Sequence, residues 1–127
     1  MEEYKDVKIY QPAVCRAAYI GEGTKIGAFC DIGSDVYIGK GCNIQCQVSI
    51  PNGVKIGNGC FLGPKVTILN DKYINGLCQP PEIGGNCRIG GDTTILPGVK
   101  IGDNVFIGAS ALITKDIPDG AEVIGKW

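Results

Sequence analysis

The sequence predicts an all-β protein: a parallel β-helix of about five triangular coils, interrupted by one inserted loop. Three observations carry this. Aliphatic residues stand six apart at Val14, Ile20, Ile26, Ile32, Ile38, Ile44, Ile50, Ile56, Leu62 and Ile68, and again at Ile83, Ile89, Ile95, Ile101, Ile107 and Ile113. Glycine follows most of them, and a small or β-branched residue stands four places on, as in Ile101-Gly102-Asp103-Asn104-Val105-Phe106. The register breaks once, between Ile68 and Ile83.

The period dictates the shape. Side chains alternate between the two faces of a strand. The opener of each unit and the residue four later therefore share one apolar face, while Gly, Asn and Asp between them tolerate the left-handed backbone of a tight corner. Three units close a triangle of eighteen residues, and stacked triangles pair strand to strand in parallel. Five coils stand roughly 25 Å tall at strand spacing. A period of six with glycine beside most openers makes no helical stripe. No single repeat buries its own apolar face, so the chain is expected to form one domain over residues 1–127.

Each part has a place in that stack. Residues 1–11 precede the first opener and are expected to cap the first coil, because an open end exposes unpaired strand groups. Cys30, Cys42, Cys60 and Cys87 occupy the fourth-after-opener class that Val36, Val48, Val54, Val66 and Val99 fill elsewhere. They read as small buried hydrophobes. A bridge between Cys42 and Cys60, in neighbouring coils, is allowed by distance and opposed by a reducing compartment. Among the outward residues, Asp31, Ser49 and Thr67 recur at eighteen and should form a polar column. Tyr19 and Tyr37 should stack in another, and with Phe61 and Phe106 they point either to an oligomer interface or simply to rings lying over the strands. Residues 69–82 form the inserted loop, with Asn70-Asp71-Lys72-Tyr73 at its start. A loop that breaks a rigid scaffold is where function tends to sit. After Ile113, Pro118 and Gly120 end the repeat, and Trp127 is placed to cover the last coil.

Composition narrows the partners. The formal net charge is −1, which gives no electrostatic footprint for nucleic acid or an anionic membrane. No apolar run approaches the length of a membrane span. The charged start Met1-Glu2-Glu3-Tyr4-Lys5-Asp6 lacks the apolar core of a signal peptide, so a cytoplasmic protein is expected. There is no histidine. A histidine-held zinc site is excluded, and no metal is expected. A hydroxyl acceptor, which needs a base to remove its proton, loses its usual partner. A sugar amine, partly neutral near pH 7, does not need one.

Two stretches carry a family resemblance. One runs from Cys42-Asn43-Ile44-Gln45-Cys46-Gln47-Val48-Ser49-Ile50 through Phe61-Leu62-Gly63-Pro64 to Thr67-Ile68-Leu69-Asn70-Asp71. The other is Ile107-Gly108-Ala109-Ser110-Ala111-Leu112-Ile113-Thr114-Lys115-Asp116-Ile117-Pro118. They resemble the hexapeptide-repeat acyltransferases of the left-handed β-helix class, closest to the nucleotide-amino-sugar N-acetyltransferases that modify 3-amino sugars for surface polysaccharides. The resemblance supplies the left hand of the coil. It implies an acetyl-CoA-dependent N-acetyltransferase, a homotrimer, and a site between subunits, with acyl-CoA and an amino sugar as small-molecule partners.

It also assigns residues. Asn70 matches the family's active-site asparagine. Asp31 is the leading acid/base candidate, because it stands where the family's early coil carries histidine, and Asp71 is the second. Cys46 and Gln47 replace an Asn-Asn pair lining the sugar pocket. Ser49, Thr67, Lys72, Tyr73 and Glu82 complete the substrate group. Gly90, Gly108, Ala109 and Thr114 would meet the pantetheine arm of acetyl-CoA, with Lys115 near its phosphates and Lys126 standing in for an arginine missing from the shortened tail. The replaced histidines and shortened tail motivate a first alternative, a non-catalytic β-helix scaffold or binding subunit. A second is an acyltransferase with a hydroxyl or non-sugar acceptor.

Overall fold

The structure is a computed structural model and describes residues 5–73 and 76–127. It is a left-handed parallel β-helix. Two-residue strands alternate with corners throughout. The first coil holds β1 (Lys8–Ile9), β2 (Val14–Cys15) and β3 (Tyr19–Ile20). The second holds β4 (Lys25–Ile26), β5 (Asp31–Ile32) and β6 (Tyr37–Ile38); the third, β7 (Asn43–Ile44), β8 (Ser49–Ile50) and β9 (Lys55–Ile56). The fourth holds β10 (Phe61–Leu62), β11 (Thr67–Ile68) and β12 (Glu82–Ile83); the fifth, β13 (Arg88–Ile89), β14 (Thr94–Ile95) and β15 (Lys100–Ile101). The sixth holds β16 (Phe106–Ile107), β17 (Leu112–Ile113) and a single bridge from Ile117 to Ile101, and β18 (Glu122–Val123) begins a seventh.

The strands stack into three parallel sheets. Face A runs β1-β4-β7-β10-β13-β16-β18, face B runs β2-β5-β8-β11-β14-β17, and face C runs β3-β6-β9-β12-β15. The openers fill the prism. Ile26, Ile32, Ile38, Ile50, Ile89, Ile95 and Ile113 are each 0% exposed. Burying one such side chain stabilises the fold by about 1.5–3 kcal/mol.

The coil count is six and a part, not five, because regular spacing fails at both ends. Lys8–Ile9, expected within a cap, pairs in register with Lys25–Ile26 as the first strand of face A; Met1–Tyr4 of that segment lie outside the described residues. At the other end Ile117 and Val123 are buried core residues although neither continues the six-residue count from Ile113. One opener is also corrected. Val14 pairs with Asp31, points outward and is 51% exposed, while Cys15 pairs with Ile32 and points in. The turn from Cys15 to Ile20 is one residue short. Counting back by six from Ile20 therefore lands on the wrong face, because a slip of one residue inverts a strand.

The buried thiols do more than fill space. Thr24 Oγ1 donates to the Gly39 carbonyl at 2.7 Å. One coil at a time, Cys42 Sγ donates to Gly57 at 3.2 Å, Cys60 to Gly84 at 3.0 Å and Cys87 to Gly102 at 3.1 Å. The ladder thus ties each coil to the next through a corner carbonyl. Cys15, Cys30, Cys42, Cys46, Cys60, Cys78 and Cys87 are all free thiols. Trp127 packs against the last coil, its backbone N–H donating to the Leu112 carbonyl and its indole N–H to the Asp116 carbonyl, each at 2.9 Å.

Candidate functional site

The inserted loop organises one edge of the prism. It leaves after Ile68, at the corner between faces B and C, and returns at Glu82. Its base is pinned: the Gln79 N–H donates to the Asn70 carbonyl at 2.6 Å, and Asp71 bridges Cys78 in antiparallel sense. Ile74 and Asn75 of the loop lie outside the described residues. A cleft opens on each side of this base.

The lower cleft, toward the N-terminal coils, has a volume of about 270 Å³ and is lined by Arg16, Asp31, Ser49, Asn52, Asn70 and Asp71 among others. Asp31, Ser49 and Thr67 stand in register on face B, and Thr67 pairs onward with Thr94. The polar column expected at eighteen-residue spacing is therefore present. Half-buried Asn70 is held by its amide: Nδ2 donates to the Asn52 carbonyl at 3.1 Å and to Cys78 Sγ at 3.5 Å. Its side-chain oxygen is left to accept a hydrogen bond from a ligand. The ion pairs among the described residues are Lys5–Glu22 and Lys100–Glu82, each at 3.8 Å. Arg16, Asp31 and Asp71 take part in neither.

The upper cleft, of about 290 Å³, is lined by Lys72, Gln79, Pro97, Thr114, Lys115 and Asp116 among others. Lys115 Nζ lies 5.4 Å from the centroid of the Trp127 ring, and Lys72 Nζ lies 5.7 Å from that of Tyr73. Two ammonium groups thus flank this cleft, each resting on an aromatic face that attracts it weakly.

The remaining expected residues lie elsewhere in the chain. Gly90, Gly108 and Ala109 line a third, more apolar cleft of about 130 Å³ with Phe61, Arg88 and Phe106, along face A and its corner with face B. Gly90 is glycine for a packing reason too, since a Cβ there would lie 2.4 Å from the Ala109 nitrogen. Cys46 and Gln47 occupy the same A–B corner two coils lower, both exposed, with Gln47 at φ 61°. Glu82 stands on face C, paired with Lys100. Lys126 is exposed and bridges Leu112 at the top of face B. Within one chain, then, Asp31, Ser49, Asn70 and Asp71 share a cleft; Lys72, Thr114 and Lys115 share the next; and the Gly90 and Gln47 groups line another edge.

Sequence reasoning passed over Arg16 and Asn52. Asn52 is found by stepping eighteen residues back from Asn70. Arg16 is hidden by the short turn that follows it.

The sequence matches the pattern of the bacterial transferase hexapeptide family (six repeats) over residues 17–52 and 80–115, more than half of the chain. The chain belongs to this family. Solved structures share its fold. The acetyltransferase domain of PglB from Neisseria gonorrhoeae is 23% identical with a TM-score of 0.83, over 94% of this chain and 54% of that one. PerB from Caulobacter crescentus, solved with CoA and GDP-perosamine, is 23% identical with a TM-score of 0.73, over 94% of this chain and 51% of that one. AntD, an N-acyltransferase from Bacillus cereus solved with dTDP and coenzyme A, is 18% identical with a TM-score of 0.80, over 95% of this chain and 76% of that one. The chain thus spans about half the length of the first two. No curated protein matches it in sequence. No helix among the described residues is long and apolar enough to cross a membrane.

Proposed function

We propose that this hexapeptide-repeat protein is an acetyl-CoA-dependent N-acetyltransferase acting on the amino group of a nucleotide-linked amino sugar. One observation carries the proposal: the loop base at Asn70 separates a carboxylate-bearing cleft from a lysine-flanked one on the same edge. An amine is drawn to the first by Asp31 and Asp71. The phosphates of an acyl-CoA are drawn to the second by Lys72 and Lys115. The two meet at Asn70.

The chemistry asked of the chain is modest. A neutral amine attacks the thioester carbonyl without a histidine, provided it is held in line. Asn70 has its amide nitrogen tied to Asn52, so its oxygen accepts an N–H of the acceptor and aims the nitrogen lone pair. Asp31 or Asp71 receives the proton the amine sheds as the tetrahedral adduct forms; collapse of the adduct breaks the C–S bond, and the departing CoA thiolate takes up that proton and leaves as the thiol. The CoA and GDP-perosamine bound to PerB, and the coenzyme A and dTDP bound to AntD, agree with this chemistry.

The family resemblance implies a homotrimer, which is part of the same proposal. A second copy packed on the B–C edge would bring its Gly90, Gly108, Ala109, Cys46 and Gln47 edge over Asn70, giving the donor arm a backbone wall. A cytoplasmic location, where acyl-CoA is made, suits seven free thiols.

Calorimetric titration of the purified protein with acetyl-CoA and with CoA tests the proposal. Saturable binding at one site per chain supports it. No heat from a folded oligomer rejects it in favour of a scaffold.

A further inference from the structure

We propose that Arg16 is a specificity-determining residue of the lower cleft, reading the anionic group on which the acceptor amine is carried; the proposal rests on the acyl-transfer reading of that cleft. Arg16 lies just past β2, and its backbone N–H donates to the Ile32 carbonyl at 2.9 Å, which fixes its stem at the N-terminal end of the B–C edge. It lines the cleft with Asp31, Asn70 and Asp71, and among the described residues it belongs to no ion pair. A guanidinium that shares a cleft with two carboxylates and is bonded to neither is free to bind a ligand's anion. Its planar fork of donors suits a phosphate or carboxylate.

The spacing defines what fits. Arg16 belongs to the first coil and Asn70 to the fourth, so at strand spacing their levels are about 14 Å apart, less the reach of the arginine side chain. An isolated amino sugar placed with its nitrogen at Asn70 leaves the arginine end empty. An amine joined through a sugar ring to a phosphate fills both ends, its nitrogen at Asn70 and Asp71 and its anion at Arg16, with Asp31 one coil above the arginine. The cleft is thus complementary to a molecule with positive and negative ends, and Arg16 rejects amines that lack the negative one.

Titration of the full chain with inorganic pyrophosphate, UDP and glucuronate tests this, using Arg16→Ala, Arg16→Lys and Asp31→Asn beside the native protein. Thermal melts check that each variant is folded. The expected result is phosphate-group binding that weakens about tenfold in Arg16→Ala, less in Arg16→Lys, and tightens in Asp31→Asn, where a repelling carboxylate is lost. Arg16-dependent binding of glucuronate in place of UDP supports the same residue and assigns the anion to a carboxylate. Failure of the native protein to bind any of the three at millimolar concentration, or equal affinity in Arg16→Ala, overturns the proposal. Acetyl-CoA affinity separates the two readings. Arg16-dependent UDP binding without acetyl-CoA binding removes the acyl-transfer reading alone, whereas acetyl-CoA binding with Arg16-independent anion binding removes the Arg16 assignment alone.

Discussion

The Asn70 side-chain amide donates to the main-chain carbonyl of Asn52, eighteen residues earlier and one coil below, at 3.1 Å. A residue in an inserted loop is thereby held to the rigid wall of the prism. This leaves its side-chain oxygen as the group offered to the lower cleft. Replacing Asn70 by Ala should lower kcat/KM about a hundredfold, the scale of losing one aligned polar group at a reacting centre. Size-exclusion chromatography with light scattering should show an unchanged oligomer. Native kinetics in Asn70→Ala would remove this residue from the site.

Gly90 and Gly108 are both proposed to meet the donor arm, and they differ in the space around them. A methyl at position 90 would strike the Ala109 backbone at 2.4 Å, whereas one at 108 would make ordinary contacts with Ile124 Cγ1 and the Val123 carbonyl oxygen, each at 3.6 Å. Gly90→Ala should cost about 1–3 kcal/mol of stability through overpacking. Gly108→Ala should melt like the native protein and bind acetyl-CoA more weakly, as read by calorimetry. Native affinity in Gly108→Ala would place the donor elsewhere.

Two buried thiols, Cys30 and Cys60, favour their protonated form and make the fold sensitive to alkali, whereas hydrogen bonding to Cys60 pushes Cys42 down to about 6 and Cys87 down to about 7. Burial pushes the Cys30 thiol up. Hydrogen bonding to Cys42 and then Cys87, with burial after these, pushes Cys60 up. In the unfolded chain these thiols ionise near pH 8.5. The native state holds its protons above that pH and the unfolded state does not. Their stabilisation is therefore complete below about pH 8.5 and declines above it by at most about 1.4 kcal/mol per pH unit per thiol. Urea midpoints at rising pH should fall more gently in a Cys30→Val, Cys60→Val double variant. Parallel curves would exclude these thiols as the cause.

The A–B corner runs through side chains rather than glycines. Phe29, Gln47, Lys65, Asp92 and Ser110 all have positive φ, at 64°, 61°, 66°, 61° and 60°. The left-handed conformation costs about 1–2 kcal/mol in a residue with a Cβ, part of which glycine returns as chain entropy. Gln47→Gly should therefore raise the melting temperature by a few degrees, for a gain of about 0.5–1 kcal/mol. The acceptor KM should rise at the same time if the side chain meets substrate across a subunit boundary. A lower melting temperature would show that the side chain contributes more than its strained backbone costs.

The sequence by itself determined the coil. A period of six on a strand's alternation leaves few ways to bury Ile26, Ile44 and Leu62 together, and the eighteen-residue spacing placed Asp31, Ser49 and Thr67 in one column before any coordinates. The same regularity hid what differs between edges. Counting by eighteen holds only while every turn has its regular length, and one short turn carried Val14 to the outside and concealed Arg16. Only the hydrogen-bond register of the folded chain decided that Asn70 and Asp31 share a cleft, that Lys72 and Lys115 share the next, and that Gly90 and Gln47 line another edge. Local alternation specifies which way a side chain points relative to its own strand, whereas its neighbours across coils depend on every turn length between them.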